Sequence, residues 1–166
     1  ATAATYAPDA LNVDTWFRRQ VTSELNSMFC TQFTAAVKVT VNNMNPGTIA
    51  GTQNICEGDV PAVLTSTAAA TGDGTITYQW QESADNGGTW VNVAAAGNGA
   101  TYAPPALLAD MLYKRIATSD LGGVLCTEET GTVKVTVINF DPGSISADQT
   151  ICENTGAAPF TSVTPS

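Results

Sequence analysis

The chain has 166 residues, with six Lys and Arg against fifteen Asp and Glu, no His, and a formal charge of −9. That balance argues against nucleic acid, which needs a basic stripe, and against anionic membrane surfaces. Hydrophobic residues make up 43% and charged ones 13%, which is enough apolar material for ordinary cores, and no apolar run approaches the length of a membrane span.

Elements taken in chain order fall into a repeat. Thr5-Tyr6-Ala7-Pro8 returns as Thr101-Tyr102-Ala103-Pro104, Cys30-Thr31 as Cys126-Thr127, and Val37 to Val41 as Val133 to Val137. Pro46-Gly47 returns as Pro142-Gly143, and Ile55-Cys56-Glu57 as Ile151-Cys152-Glu153. The offset is 96 residues throughout, as Cys30 to Cys126 and Cys56 to Cys152 show. Residues 1–43 therefore read as the C-terminal half of one repeat, 44–139 as a complete repeat, and 140–166 as the N-terminal part of the next. The chain is expected to be a piece of a longer tandem array. A period near one hundred residues is too long for a solenoid or propeller blade and fits an independent β-sandwich of immunoglobulin type.

Within the complete repeat, Val60 to Thr65 is expected to be an early strand, with Pro61 marking either an edge or a strand start. Thr75 to Gln81 alternates strictly, with Ile76, Tyr78 and Trp80 on one face. Trp90 to Val93 follows a tight turn. Ala106 to Met111 has room for one helical turn. Met111 to Ala117 is a strand in which Tyr113, and Phe17 in the first copy, should face inward, with the following Arg bent to a partner. Val133, Val135 and Val137 alternate with Lys134 and Thr136 to form the last strand.

Paired cysteines in a short repeated domain suggest a disulfide. Two pairings are open, Cys56 with Cys126 inside the repeat or Cys30 with Cys56 across the junction. Strand logic favours the first, because Cys126 should lie at the pole where its repeat begins and Cys56 is expected there too. Cys30 and Cys152 would then pair outside these residues. With no His and no close Cys pair, zinc lacks its usual ligand spacing.

Ser83-Ala84-Asp85-Asn86-Gly87-Gly88-Thr89-Trp90 matches the Asp-box pattern through Ser83, Asp85, Gly87, Thr89 and Trp90. Its physical content is a hairpin turn: the Asp accepts turn amides and the glycines supply positive φ. One copy per long repeat favours a structural role over a glycosidase propeller. Asp73 sits between glycines in another loop. Asp73 and Asp85 are weak calcium candidates, since sandwich loops can converge to supply oxygens, and calcium is the one cofactor left open. The aromatics Tyr102, Trp90 and Trp16 offer a glycan-stacking reading, but repetition of the Thr-Tyr-Ala-Pro motif favours packing. Catalysis lacks material: there is no His, no nucleophile elbow, and no Gly-rich phosphate loop before a helix.

In order, Tyr78-Gln79-Trp80-Gln81, the Asp box, Thr101-Tyr102-x-Pro104, Tyr113-Lys114-Arg115, Cys126 and Pro142-Gly143-x-Ile145 resemble the Ig-like (PKD-like) tandem repeats of giant secreted adhesins of the Bacteroidota. Those adhesins include gliding-motility adhesins exported by the type IX system. The resemblance implies an extracellular, cell-surface location, intra-repeat disulfides, a stalk or adhesive fibre, and no catalytic residues. Expected partners are neighbouring repeats of the same chain, then surface glycans or other cells. A spacer or glycan-binding module of a secreted hydrolase and a strand-exchanging filament subunit are the alternatives.

Overall fold

The computed structural model describes residues 4–94 and 96–164. All its regular elements are strands. The first segment carries β1 (Thr15–Phe17), β2 (Gln20–Leu25), β3 (Met28–Phe33) and β4 (Val37–Val39). The complete repeat opens with β5 (Met44–Asn45), β6 (Thr48–Ala50), β7 (Gln53–Cys56), β8 (Thr65–Ala68) and β9 (Thr71–Gly72). It continues with β10 (Thr75–Ser83), β11 (Val91–Asn92), β12 (Met111–Leu121), β13 (Val124–Glu129) and β14 (Val133–Ile138). The last segment holds β15 (Ser144–Ile145) and β16 (Ser162–Thr164).

The main sheet runs β11-β10-β12-β14-β7, and β13 also pairs with β12. Its spine is the antiparallel β10–β12 pair, in register from Thr75 opposite Asp120 to Ser83 opposite Leu112. Side chains alternate as the pleat requires. Trp80, Tyr113, Arg115, Ala117, Ser119, Val133, Val135 and Val137 are buried on the inner face. Across from them lie the short pairs β5–β9 and β6–β8 and the bridge between Leu64 and Tyr102. The fold is an all-β sandwich, and its core joins Leu64, Trp80, Val93, Tyr102, Leu107, Tyr113 and the three valines of β14.

The aromatic centre is ordered by ring contacts and one donor. Trp80 stacks on Tyr102 with centroids 5.9 Å apart, and Tyr102 tilts against Tyr113 at 5.8 Å. Trp80 Nε1 donates to the Gly99 carbonyl at 2.9 Å, so its one polar atom is satisfied on burial. Arg115 faces inward with Tyr113, as its phase requires, and it is bent to carbonyls rather than to an acid. Nη1 donates to Ala100 O at 2.8 Å and Nη2 to Pro46 O at 3.0 Å. Its guanidinium lies 4.4 Å from the Tyr78 ring centroid. Burial pulls its pKa below the ordinary value.

Two expected elements differ. Residues 60–63 are not a strand; pairing starts at Leu64 and β8 at Thr65. The Gln53 side chain substitutes for a ladder there, accepting from Ala62 N at 2.8 Å and donating to Ala62 O at 3.1 Å. Residues 106–111 hold no helical turn. Their backbone bonds go across instead: Leu107 N donates to Asp59 O, and Leu107 O accepts from Gly58 N. β12 also runs four residues past its expected end. Gly122 and Gly123, at φ 60° and 88°, then turn it into β13 by the two-residue hairpin that needs positive φ at both positions.

Several contacts recur at the sequence offset. Lys134 pairs with Asp110 at 2.7 Å and Lys38 pairs with Asp14. Each Asp also accepts a backbone amide at 2.8 Å, from Val137 and Val41 respectively. The lysine hydrogen bond is the largest cause holding both carboxyls below their ordinary pKa. The Gln53–Ala62 clasp returns as Gln149–Ala158, and the Tyr102–Tyr113 contact as Tyr6–Phe17.

Candidate functional site at the junction between repeats

The strands of the complete repeat run between two poles. At the entry pole stand Asn42 to Asn45, the 72–74 turn and the β12–β13 hairpin. At the exit pole stand the ends of β7 and β14, Asp110, and the hairpin after β10. The entry pole is where the preceding segment is bonded to the sandwich.

Asn42 fastens the meeting point. Its Nδ2 donates to the Ser119 and Val124 carbonyls, each at 2.9 Å, and its Oδ1 accepts from Ser119 Oγ at 2.8 Å. Asn43 donates from both its backbone N and its Nδ2 to Asp73 Oδ2 at 2.9 Å. Beside this clamp, Val13 and Asp14 of the first segment share a shallow recess with Asp73 and Leu121 of the second. Neither Asn42 nor Ser119 was marked by a sequence motif. The hint was an Asn-Asn pair just after the repeated Val-Lys-Val-Thr-Val strand.

Replacing Asn42 with alanine removes three hydrogen bonds of about 0.5–1.5 kcal/mol net each. Hydrogen exchange is expected to quicken at residues 42–45 and at Ser119, while amides of Trp80 and Val93 keep their protection. Equal loss at both places would mean that Asn42 supports the core and not the junction.

The expected Cys56–Cys126 bridge is corrected by the strand register. Cys56 lies level with Ile138 at the exit end of β14, whereas Cys126 lies opposite Ser119 near the entry end of β12. Met111, opposite Val135, is far from Ser119 along the same strand. The separation is roughly 30 Å at the strand rise, against the ~7 Å between Cα atoms that a disulfide tolerates. β7 carries the chain from the entry pole to the exit pole before Cys56 is reached, which strand counting from sequence had missed. Cys30, opposite Ser23 on β3, is at the entry end of the preceding segment and farther still. Cys30, Cys56, Cys126 and Cys152 are all unpaired, and only Cys126 is partly buried.

The Asp box forms the hairpin its sequence describes. Asp85 Oδ1 accepts from Ser83 Oγ at 2.7 Å and from Thr89 N at 2.8 Å, and Oδ2 accepts from Thr89 Oγ1 at 2.7 Å. Gly87 N donates to Ser83 Oγ at 2.9 Å. Asn86 and Gly87 take φ of 57° and 93°. Trp90 closes the turn half-buried, with Lys114 Nζ 4.5 Å from its ring centroid. The Thr89 side chain, then the Thr89 amide and Ser83, hold the Asp85 carboxyl down to about 2. A depressed carboxyl stabilises the fold above its unfolded value and loses that stabilisation as pH falls through the folded one. The Thr89 amide resonance is therefore expected to titrate with a midpoint near pH 2, and in Asp85→Asn that titration disappears. A midpoint near 4 would contradict the bonding described.

The two calcium candidates lie apart. Asp73 precedes β10 and Asp85 follows it, so a nine-residue strand separates them and no common site forms. Asp73 accepts two donors from Asn43 on Oδ2, and both Asp85 oxygens accept donors within the turn. Among the described residues no three His, Cys, Asp or Glu side chains form a metal-holding group. The three aromatics share no face either. Tyr102 is core, Trp90 caps its hairpin, and Trp16 is 65% exposed on the first segment.

The fold is an all-β sandwich whose entry pole is bonded to the preceding segment through Asn42. A family described as a domain of unknown function (DUF8696) matches residues 45–139, more than half of the chain, and the chain belongs to it. No curated protein and no solved structure matches the chain.

Proposed function

We propose that the chain is a structural and adhesive repeat segment of a long extracellular surface adhesin or filament, in which sandwiches stacked pole to pole act as a stalk. The observation that supports this most is the Asn42 clamp, which uses up the polar groups at one repeat's entry on the exit strand of the repeat before it. Two domains joined by a flexible linker have no such directed contacts. The acidic surface, with a charge of −9, suits a fibre that must stay dispersed. The side chains with unusual environments are spent on packing: Arg115 and Tyr113 lie in the core, and Asp85 in a turn.

The location is tested with antibody raised against residues 44–139 on cells of the source organism. Labelling of intact cells, and loss of surface attachment on deletion of the gene, is the expected result. Labelling only after permeabilisation would overturn the proposal.

A further inference from the structure

The cysteines that cannot meet inside one repeat have a geometric route to each other across a junction. At the first junction the elements of the two repeats face each other in matching order. On one side Val13 and Asp14, which lead into β1, lie by Asp73 and Leu121. In the middle Asn42, just past β4, touches Ser119 and Val124. On the third side stands the strand that pairs with β4 on the edge away from β1. In the complete repeat that strand is β7, parallel to β14, with Cys56 the register partner of Ile138. Ile138 is the counterpart of Asn42 at the 96-residue offset. By that equivalence, a cysteine of a complete first repeat corresponding to Cys56 would fall beside Asn42.

Direction agrees with position. Parallel register partners point to the same side of their sheet, so that cysteine is aimed as Asn42 is, toward the inner face of β12 and β13. Directly opposite residues of an antiparallel pair also share a face, ~5 Å apart. Cys126 is the opposite partner of Ser119 and so stands on the face that Asn42 reaches. It lies on the β13 side, away from Asp73, which is where the third element falls. Cys126 is also the one cysteine that is partly buried, and β13 borders β5, the first strand of the repeat.

We propose that each junction is stapled by a disulfide between the cysteine ending β7 of one repeat and the β13 cysteine of the next. Cys126 then bonds the preceding repeat's counterpart of Cys56, and Cys56 bonds the following repeat's counterpart of Cys126. The two thiols lose two protons and give two electrons to a disulfide-bearing oxidant. One thiolate attacks the donor disulfide, the second displaces the donor's sulfur from the mixed disulfide, and the donor leaves as a dithiol. Every repeat is then linked to both neighbours, and a break in one sandwich leaves the fibre covalently continuous. The inference rests on the stacked-repeat reading and adds the bond that holds the stack.

The test completes the first repeat. Residues 44–96 are placed directly ahead of Ala1 of the full chain, which keeps the register and supplies a second copy of Cys56. After oxidation with glutathione disulfide, a non-reducing peptide map is expected to show that copy linked to Cys126. In the unextended chain Cys126 should remain open to alkylation after the same treatment. In the extended chain carrying Cys126→Ser, which changes one atom and spares the core, the added copy of Cys56 should be open too. A bond from the added copy to Cys30, or a Cys56–Cys126 bond in the unextended chain, would overturn the proposal. If residues 42–45 stay protected from hydrogen exchange while Cys126 stays reduced, the bridge fails and the stack survives.

Discussion

Arg115→Ala is expected to destabilise the complete repeat by about 3–5 kcal/mol. The side chain has no exposed surface, so its removal opens a cavity beneath Tyr78 and Trp80. It also strips donors from two part-buried carbonyls, Ala100 O and Pro46 O, and each hydrogen bond lost adds about 0.5–1.5 kcal/mol. The cavity adds to this. Arg115→Lys recovers only part of the loss, because an ammonium cannot span two carbonyls as a guanidinium fork does. A small domain is stable by only about 5–15 kcal/mol in total, so the alanine variant should show a much lower urea midpoint, with the lysine variant between it and the parent. Equal midpoints for parent and Arg115→Ala would mean that the arginine is tolerated in the core and does not help build it.

Trp80→Ala should cost a similar amount, about 3–5 kcal/mol, from the volume lost at a fully buried ring and the loss of its stack on Tyr102. Trp80→Phe separates packing from hydrogen bonding. It keeps most of the ring but leaves Gly99 O without its indole donor, for about 1–2 kcal/mol. At roughly 4–8 °C per kcal/mol for a domain near this size, the two variants are readily told apart by thermal melting. A phenylalanine variant as unstable as the alanine one would place the main energy in the hydrogen bond and contradict the packing account.

These two positions also show what the sequence made legible. The alternation through Ile76, Tyr78 and Trp80 identified the core face of β10, because a half-buried antiparallel strand must alternate. Tyr113 and Arg115 were placed on one face by the same logic, although the partner of the arginine was out of reach: two carbonyls from distant loops leave no pattern along the chain. The Asp box was readable as a hairpin turn on Asp85, since all its bonds join residues within four positions, though the bonds of the Ser83 and Thr89 hydroxyls were not foreseen. What failed was long-range. Val60 to Val63 looked like a strand by composition, but the Gln53 amide took its hydrogen bonds. The pole of Cys56 depended on β7 running parallel to β14, a pairing across about eighty residues that periodicity cannot register. The Gly122-Gly123 pair that turns β12 into β13 stands in the sequence as well, but the strand was expected to end at Ala117, four residues short of Leu121.

The junction carries the central claim, and small-angle scattering of chains with two, three and four complete repeats tests it most directly. Stacked sandwiches should lengthen the maximum dimension by an equal step for each repeat, about 35–40 Å for long strands of nine and eleven residues with their connecting turns. Asn42→Ala should make that growth less than linear. Dimensions that rise only as the square root of repeat number in the parent chain, as flexibly linked domains give, would contradict the stalk.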